Sequence, residues 1–234
     1  MAWTDQVYLY CERGHSGTLW AEPMNAVSNG GFFLATLTAF LVWRGQPQRG
    51  LSELALIALV ALIGVGSFLF HTFATRWAML ADVAPIAAFI AVYLVYALRR
   101  FLGLTPAFVT LGLALFAGAI AVSPKLFCPN VALHAVPDHR CLNGSTAYVA
   151  ALLMLVIVGA AAAQRNRPAS GYLLAASAVF ALSLIARTFD LSACGASVMW
   201  GRPRGTHALW HVMNAVTLGL LLLAAIRHGG GRRE

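Results

Sequence analysis

Ser67 and His71 stand four residues apart, as do His207 and His211, and Asp82 follows His71 by eleven residues. On a helix, a spacing of four puts both side chains on one face, about a turn apart. Each pair lies near one end of a long apolar run and Asp82 lies just inside another, so all five can be placed at a single depth. Polar groups at that depth are costly, about +2.5 kcal/mol or more for a central aspartate on insertion scales, and they need partners. One divalent metal would satisfy all three imidazoles together. Zinc in a catalytic site takes three protein ligands and leaves a position open for water, whose pKa falls to about 7. Asp82 could then hold or deprotonate the attacking water, and Ser67 could donate to the oxyanion that forms. Taken singly, the residues have plainer explanations: an intramembrane histidine often lines a helix contact, and a serine often bonds back to its own helix. The combination is what points to metal-assisted hydrolysis.

The elements that must position these residues follow from composition. Of 234 residues, 60% are hydrophobic and only 10% charged, with a mean hydropathy of +0.75, which excludes an ordinary soluble domain. Apolar runs bounded by charge, Gly or Pro predict seven spans: Met24 to Trp43, Leu51 to Phe73, Ala78 to Leu98, Pro106 to Val122, Thr146 to Ala163, Gly171 to Arg187 and His207 to Ile226. The expected fold is therefore an all-α, seven-helix transmembrane bundle. The fourth span is the weakest, because Gly112 and Gly118 lower its helix propensity. Strands are excluded for lack of sustained alternation. The expected layout is a cap over residues 1–23, the helical domain over 24–227 and a short basic tail over 228–234.

One set of helix ends carries Arg44, Arg49, Arg99, Arg100, Arg165, Arg167, Arg227, Arg232 and Arg233, with only Glu53 and Glu234 as acids. The other set carries seven basic residues but also six acids, among them Glu12, Glu22, Asp82 and Asp190. This bias predicts an outside amino terminus and a cytoplasmic carboxyl terminus, with the polar cluster near the outer face. The net charge of +8 is scattered in twos at helix ends and forms no stripe interleaved with aromatics, which argues against nucleic acid. Anionic lipid explains it better. The first 23 residues contain acids and no apolar stretch, so no signal peptide is expected. Fifteen Arg against one Lys fits a GC-rich bacterial genome, and hence an inner membrane with the site toward the periplasm. No feature predicts a protein partner.

Cys11, Cys128, Cys141 and Cys194 all fall outside under this orientation, where oxidation would allow pairing. Four cysteines permit three connectivities, and four free thiols remain an alternative. Cys128 with Cys141 would close one loop locally and leave Cys11 for Cys194. Other catalytic schemes fit poorly. No glycine completes a nucleophile elbow around Ser67, His207 to His211 encloses no glutamate of an HExxH motif, and no Gly-rich phosphate loop is present.

The combination Ser67-x3-His71, Asp82 and His207-x3-His211, together with Cys11-Glu12-Arg13, Trp20-Ala-Glu22-Pro-Met-Asn25 and Ser28-Asn29, resembles the alkaline ceramidases and their bacterial relatives. The wider superfamily of seven-helix membrane hydrolases includes the adiponectin receptors. The resemblance implies zinc on His71, His207 and His211, with Asp82 and Ser67 serving hydrolysis of a ceramide amide to a sphingoid base and a fatty acid. It also implies a Cys11–Cys194 disulfide and a structural calcium near the cap, with Glu12 and Glu22 as its acids. Tyr8, Leu9 and Tyr10 stand where a further acid is expected. Two carboxylates with backbone oxygens would make a weak site, since calcium takes six to eight oxygens; as solvated loop acids they would need no ion. Trp20, Asn25, Ser28, Asn29, Trp200 and Trp210 could touch lipid head groups, although aromatics at this depth commonly anchor at the interface.

The substrate expected is a membrane lipid whose tails remain in the bilayer. An ester or phospholipid hydrolase would use the same five residues, and a receptor-like protein could use zinc only to pin its helices. A channel is disfavoured, because the polar residues form one cluster instead of a path across the membrane.

Overall fold

The computed structural model describes residues 2–128 and 141–230. Its first helical rod is divided at Asn29 into α1 (Pro23–Ser28) and α2 (Gly30–Arg44). There follow α3 (Leu51–Phe73), α4 (Arg76–Arg100), α5 (Pro106–Phe127), α6 (Thr146–Ala162), α7 (Arg167–Thr188) and α8 (His207–His228). Six of these rods are long and apolar enough to cross a bilayer, and α6 is a shorter apolar helix. The architecture is the expected all-α transmembrane bundle. The span expected to be weakest, α5, runs 22 residues, and its Gly112 lies against the Leu98 side chain of α4. The short spanning rod is α6, whose 17 residues give about 26 Å of rise against a hydrocarbon core of about 30 Å.

Helix starts are written locally. Pro23 and Pro106 open α1 and α5 at a position whose N–H has no intrahelical partner, so nothing is lost there. The Asn166 side chain caps α7 by accepting from the Ala169 N–H at 3.3 Å. In α8 the Thr206 side chain makes no capping bond. The buried Asp190 carboxylate takes that role, accepting from the N–H groups of Thr206 at 2.8 Å and His207 at 2.9 Å. An anion there also complements the helix dipole.

Helix α8 is central, packing against α7 and α2 most extensively and also against α1 and α3. The apolar core includes Leu56 and Val60 of α3, Phe89 of α4, Leu173 of α7 and Leu222 of α8. Helices α3 and α4 approach closely at Gly66, where a Cβ would overlap the Ala81 carbonyl. That carbonyl lies one turn before Pro85, which has no N–H to offer it. A missing side chain on one helix and a missing donor on the other thus let two backbones touch beside Ser67 and Asp82.

The amino-terminal segment folds over this end of the bundle. Val7 N–H donates to the Ala74 carbonyl at 2.7 Å in the turn between α3 and α4, and Gln6 pairs with Thr75 as an isolated antiparallel bridge. Leu9 and Tyr10 pack on Phe70 and Ala78. Two disulfides are formed: Cys11–Cys194 joins the cap to the loop before α8, and Cys128–Cys141 closes the connection between α5 and α6. A two-stranded ribbon, β1 (Val198–Met199) and β2 (Arg202–Pro203), completes the loop before α8.

Candidate metal centre and substrate cavity

The last two turns of α3 and the first two of α8 bring His71, His207 and His211 together. One nitrogen from each lies within 4.8 Å of the other two, and the rings are only 1%, 1% and 2% exposed. Ring centroids are 5.1 Å apart for His71 and His207 and 4.6 Å for each pair that includes His211.

Neighbours fix which nitrogen faces inward. The Nδ1 of His71 meets Glu22 Oε2 at 2.5 Å, and the Nδ1 of His211 meets Ser28 Oγ at 2.7 Å and the Asn25 carbonyl at 3.1 Å. Nε2 is thereby left as the inward atom on both rings, the arrangement that orients histidine ligands in metal sites. The Nε2 of His71 is buried with no hydrogen-bond partner among the described residues, as an atom reserved for a metal would be. His207 is held differently: its ring stacks on Tyr10 at 3.7 Å, and its backbone N–H is tied to Asp190. Three convergent, buried imidazoles fit a divalent metal with nitrogen preference, zinc among them.

Ser67 and Asp82 border this cluster as expected. Ser67 Oγ lies 3.5 Å from the Nε2 of His211 and hydrogen-bonds the Asp82 carboxylate. The other carboxylate oxygen, Oδ1, is buried without a hydrogen-bond partner among the described residues. All five expected residues are therefore brought together.

Four of them, all but His71, line one end of a cavity of about 1250 Å³, its open mouth included. Ser67, Asp82, Arg187, His207 and His211 line its polar part, with Asn214 and Thr217 below them. Its apolar part is walled by Ile86, Ile90, Leu94, Phe116, Val158 and Leu221. Leu94 is twelve residues beyond Asp82 on α4, so this part reaches about 18 Å deeper into the bundle.

In sequence, Arg187 is only the last residue of the apolar run from Gly171. It is 7% exposed, with its guanidinium carbon 5.1 Å from the Trp210 ring centre, 5.3 Å from Tyr148 and 5.9 Å from Tyr10. An aromatic collar of this kind holds a desolvated cation. Nothing in a lone arginine at the end of an apolar run says whether it points to water or inward. Of the residues expected near lipid head groups, Trp20 and Trp200 are exposed, whereas Asn25, Asn29 and Trp210 are buried.

Glu12 and Glu22 do not fit the expected calcium ion. Glu12 accepts from the N–H groups of Met24 at 2.9 Å and Asn25 at 2.8 Å, and it pairs with Arg204. Glu22 pairs with Arg13, accepts from Asn25 Nδ2 at 2.9 Å and holds His71. Calcium needs oxygen lone pairs, and here N–H donors already occupy three of the roughly four sites on each carboxylate. Burial opposes ionisation of Glu22, yet His71, Asn25 and Arg13 together hold its carboxyl below the ordinary carboxylate range.

No curated protein matches the chain significantly. A family model described as Ceramidase matches residues 8–229, spanning most of the cap, every described helix and all five residues of the cluster, and the chain belongs to that family.

Proposed function

We propose that this protein is a zinc-dependent membrane amidase that hydrolyses ceramide, or a closely related N-acyl lipid, to a sphingoid base and a fatty acid. The observation that carries the reading is a cluster of three buried imidazoles, two of which, His207 and His211, line the polar head of a deep apolar cavity. Family membership supports the substrate class. A lipid amide has the matching shape: a polar bond to be cut, with a hydrocarbon chain that the apolar walls can receive. The tail would then lie inside the bundle instead of remaining among the lipids.

His71, His207 and His211 would hold the metal. When bound, it supplies Lewis acidity, polarising a carbonyl and acidifying water. Asp82 takes the proton that the attacking water loses and passes it to the departing amine nitrogen. Water oxygen bonds to the carbonyl carbon, the C–N bond breaks, and the products are a carboxylate and an amine. Ser67 donates to the oxygen that gains charge as the carbonyl becomes tetrahedral. Arg187 adds a fixed positive charge to the same wall.

The proposed orientation puts the cap and the cavity head outside. Both disulfides lie at that end of the bundle, which suits an oxidising compartment.

The test is metal analysis of the purified protein combined with incubation against a panel of N-acyl and O-acyl lipids. Near-stoichiometric zinc, loss of turnover on its removal and release of fatty acid from ceramide are expected. Cleavage of esters alone would move the substrate assignment, and a metal-free protein of undiminished activity would overturn the mechanism.

A further inference from the structure

Arg13 is a buried cation that the hydrolytic scheme does not use. Its side chain is 0% exposed, and oxygen atoms meet the guanidinium on every edge. Nε pairs with Glu22; Nη1 donates to the carbonyls of Ser16 at 3.1 Å and Thr18 at 3.0 Å; Nη2 donates to those of His71 at 2.9 Å and Thr72 at 3.3 Å. A guanidinium has five N–H donors in a fixed fork, and all five find acceptors here. The acceptors come from three places: the cap loop, the residue before α1 and the last turn of α3. Carbonyls of a last helical turn lack intrahelical partners and attract positive charge.

A carboxylate and four carbonyls gathered around one point are the ligand chemistry of a hard divalent cation, which would dissociate. Here the charge is covalently attached. We propose that Arg13 is a tethered cation that permanently performs the work of a bound calcium ion. It neutralises Glu22, clamps the cap to the end of α3 and holds the Glu22 carboxylate on the Nδ1 of His71. Arg204 does the same for Glu12 where that carboxylate caps the start of α1. Arg13 is thus a positioning residue, acting on the metal centre through Glu22, and the protein has no need of calcium. The part that concerns metal affinity rests on His71 being a ligand; the part that concerns calcium does not.

The experiment uses the full-length protein in detergent. Thermal midpoint and zinc affinity, the latter by chelator competition, are measured with calcium added and with a calcium-selective chelator. Wild type is expected to show the same midpoint and affinity in both. Arg13→Ala should bind zinc about 10- to 100-fold more weakly, the range found when a partner that orients a metal-ligating histidine is lost. Added guanidinium ion should restore affinity, because it refills the vacated space; Arg13→Lys should recover only part, since an ammonium has three donors and no fork. A saturable rise of the wild-type midpoint with calcium would overturn the proposal, as would wild-type zinc affinity in Arg13→Ala. If Arg13→Ala does not fold, the calcium titration of wild type and the zinc affinity of Arg13→Lys still decide. If wild type binds no zinc, the hydrolase reading falls, while the calcium titration continues to judge the tethered cation.

Discussion

Asp82 is the residue on which the proposed chemistry turns, because its free carboxylate oxygen is buried at the cavity head with no partner among the described residues. Asp82→Asn keeps the shape and removes the proton acceptor. Turnover of ceramide is expected to fall by about 10²- to 10⁴-fold, the usual contribution of a positioned base, with zinc content and thermal midpoint nearly unchanged; retained turnover would make Asp82 a bystander. Glu22 makes a separate prediction in pH. Its carboxyl is held below the ordinary range, so its ion pairs contribute stability that is complete above the unfolded value and is lost as pH falls through the lowered folded value. Glu22→Gln should therefore lower the midpoint at neutral pH and flatten this part of the acid limb in thermal scans at several pH values. The five residues of the cluster were legible in sequence because a polar side chain inside an apolar run has no comfortable alternative. Glu22, Ser28, Asn25 and Arg187 sit at run ends, where solvent is an equally good partner, and their inward orientation emerges only from packing.

At the scale of elements, the α3–α4 contact sets the distance between Ser67 and Asp82. Gly66→Ala would drive a methyl group into the Ala81 backbone, which no rotamer can relieve. Overpacking of this kind costs about 1–3 kcal/mol, and the variant is expected to melt lower and to lose activity out of proportion to its lost stability, as Asp82 is pushed from Ser67. Equal losses of both would instead point to a general packing defect. Helix existence and order could be read from hydropathy, since a run of about 20 apolar residues has few other fates. Relative helix strength could not. Gly112 and Gly118 count against α5 by propensity, which carries no information on packing, and Gly112 sits where α4 comes close. The Asp190 cap on α8 was equally hidden, because the carboxylate reaches the helix from 17 residues upstream.

At the scale of the whole molecule, the asymmetry of arginines predicts that the carboxyl terminus is cytoplasmic. A reporter fused there that is active only in the cytoplasm should be active, and a cysteine-reactive, membrane-impermeant label should reach the cap end only after the disulfides are reduced. The opposite pattern would invert the bundle and move the cavity head to the inner face. Pairing of the cysteines lay beyond sequence geometry, since it required knowing that residues 11 and 194 meet across a separation of 183.

That long-range closure carries a consequence for biosynthesis. A nascent chain inserted through its sixth rod holds one of the three imidazoles, His71, and none of α8. The amino-terminal residues must wait at the membrane surface until the final rod arrives with His207 and His211. Only then can Tyr10 stack on His207, whereas Cys194, in the loop before that rod, is already available to Cys11. In the proposed reading, the three ligands of the metal are complete only once α8 has been made, and truncated translation products lack two of them.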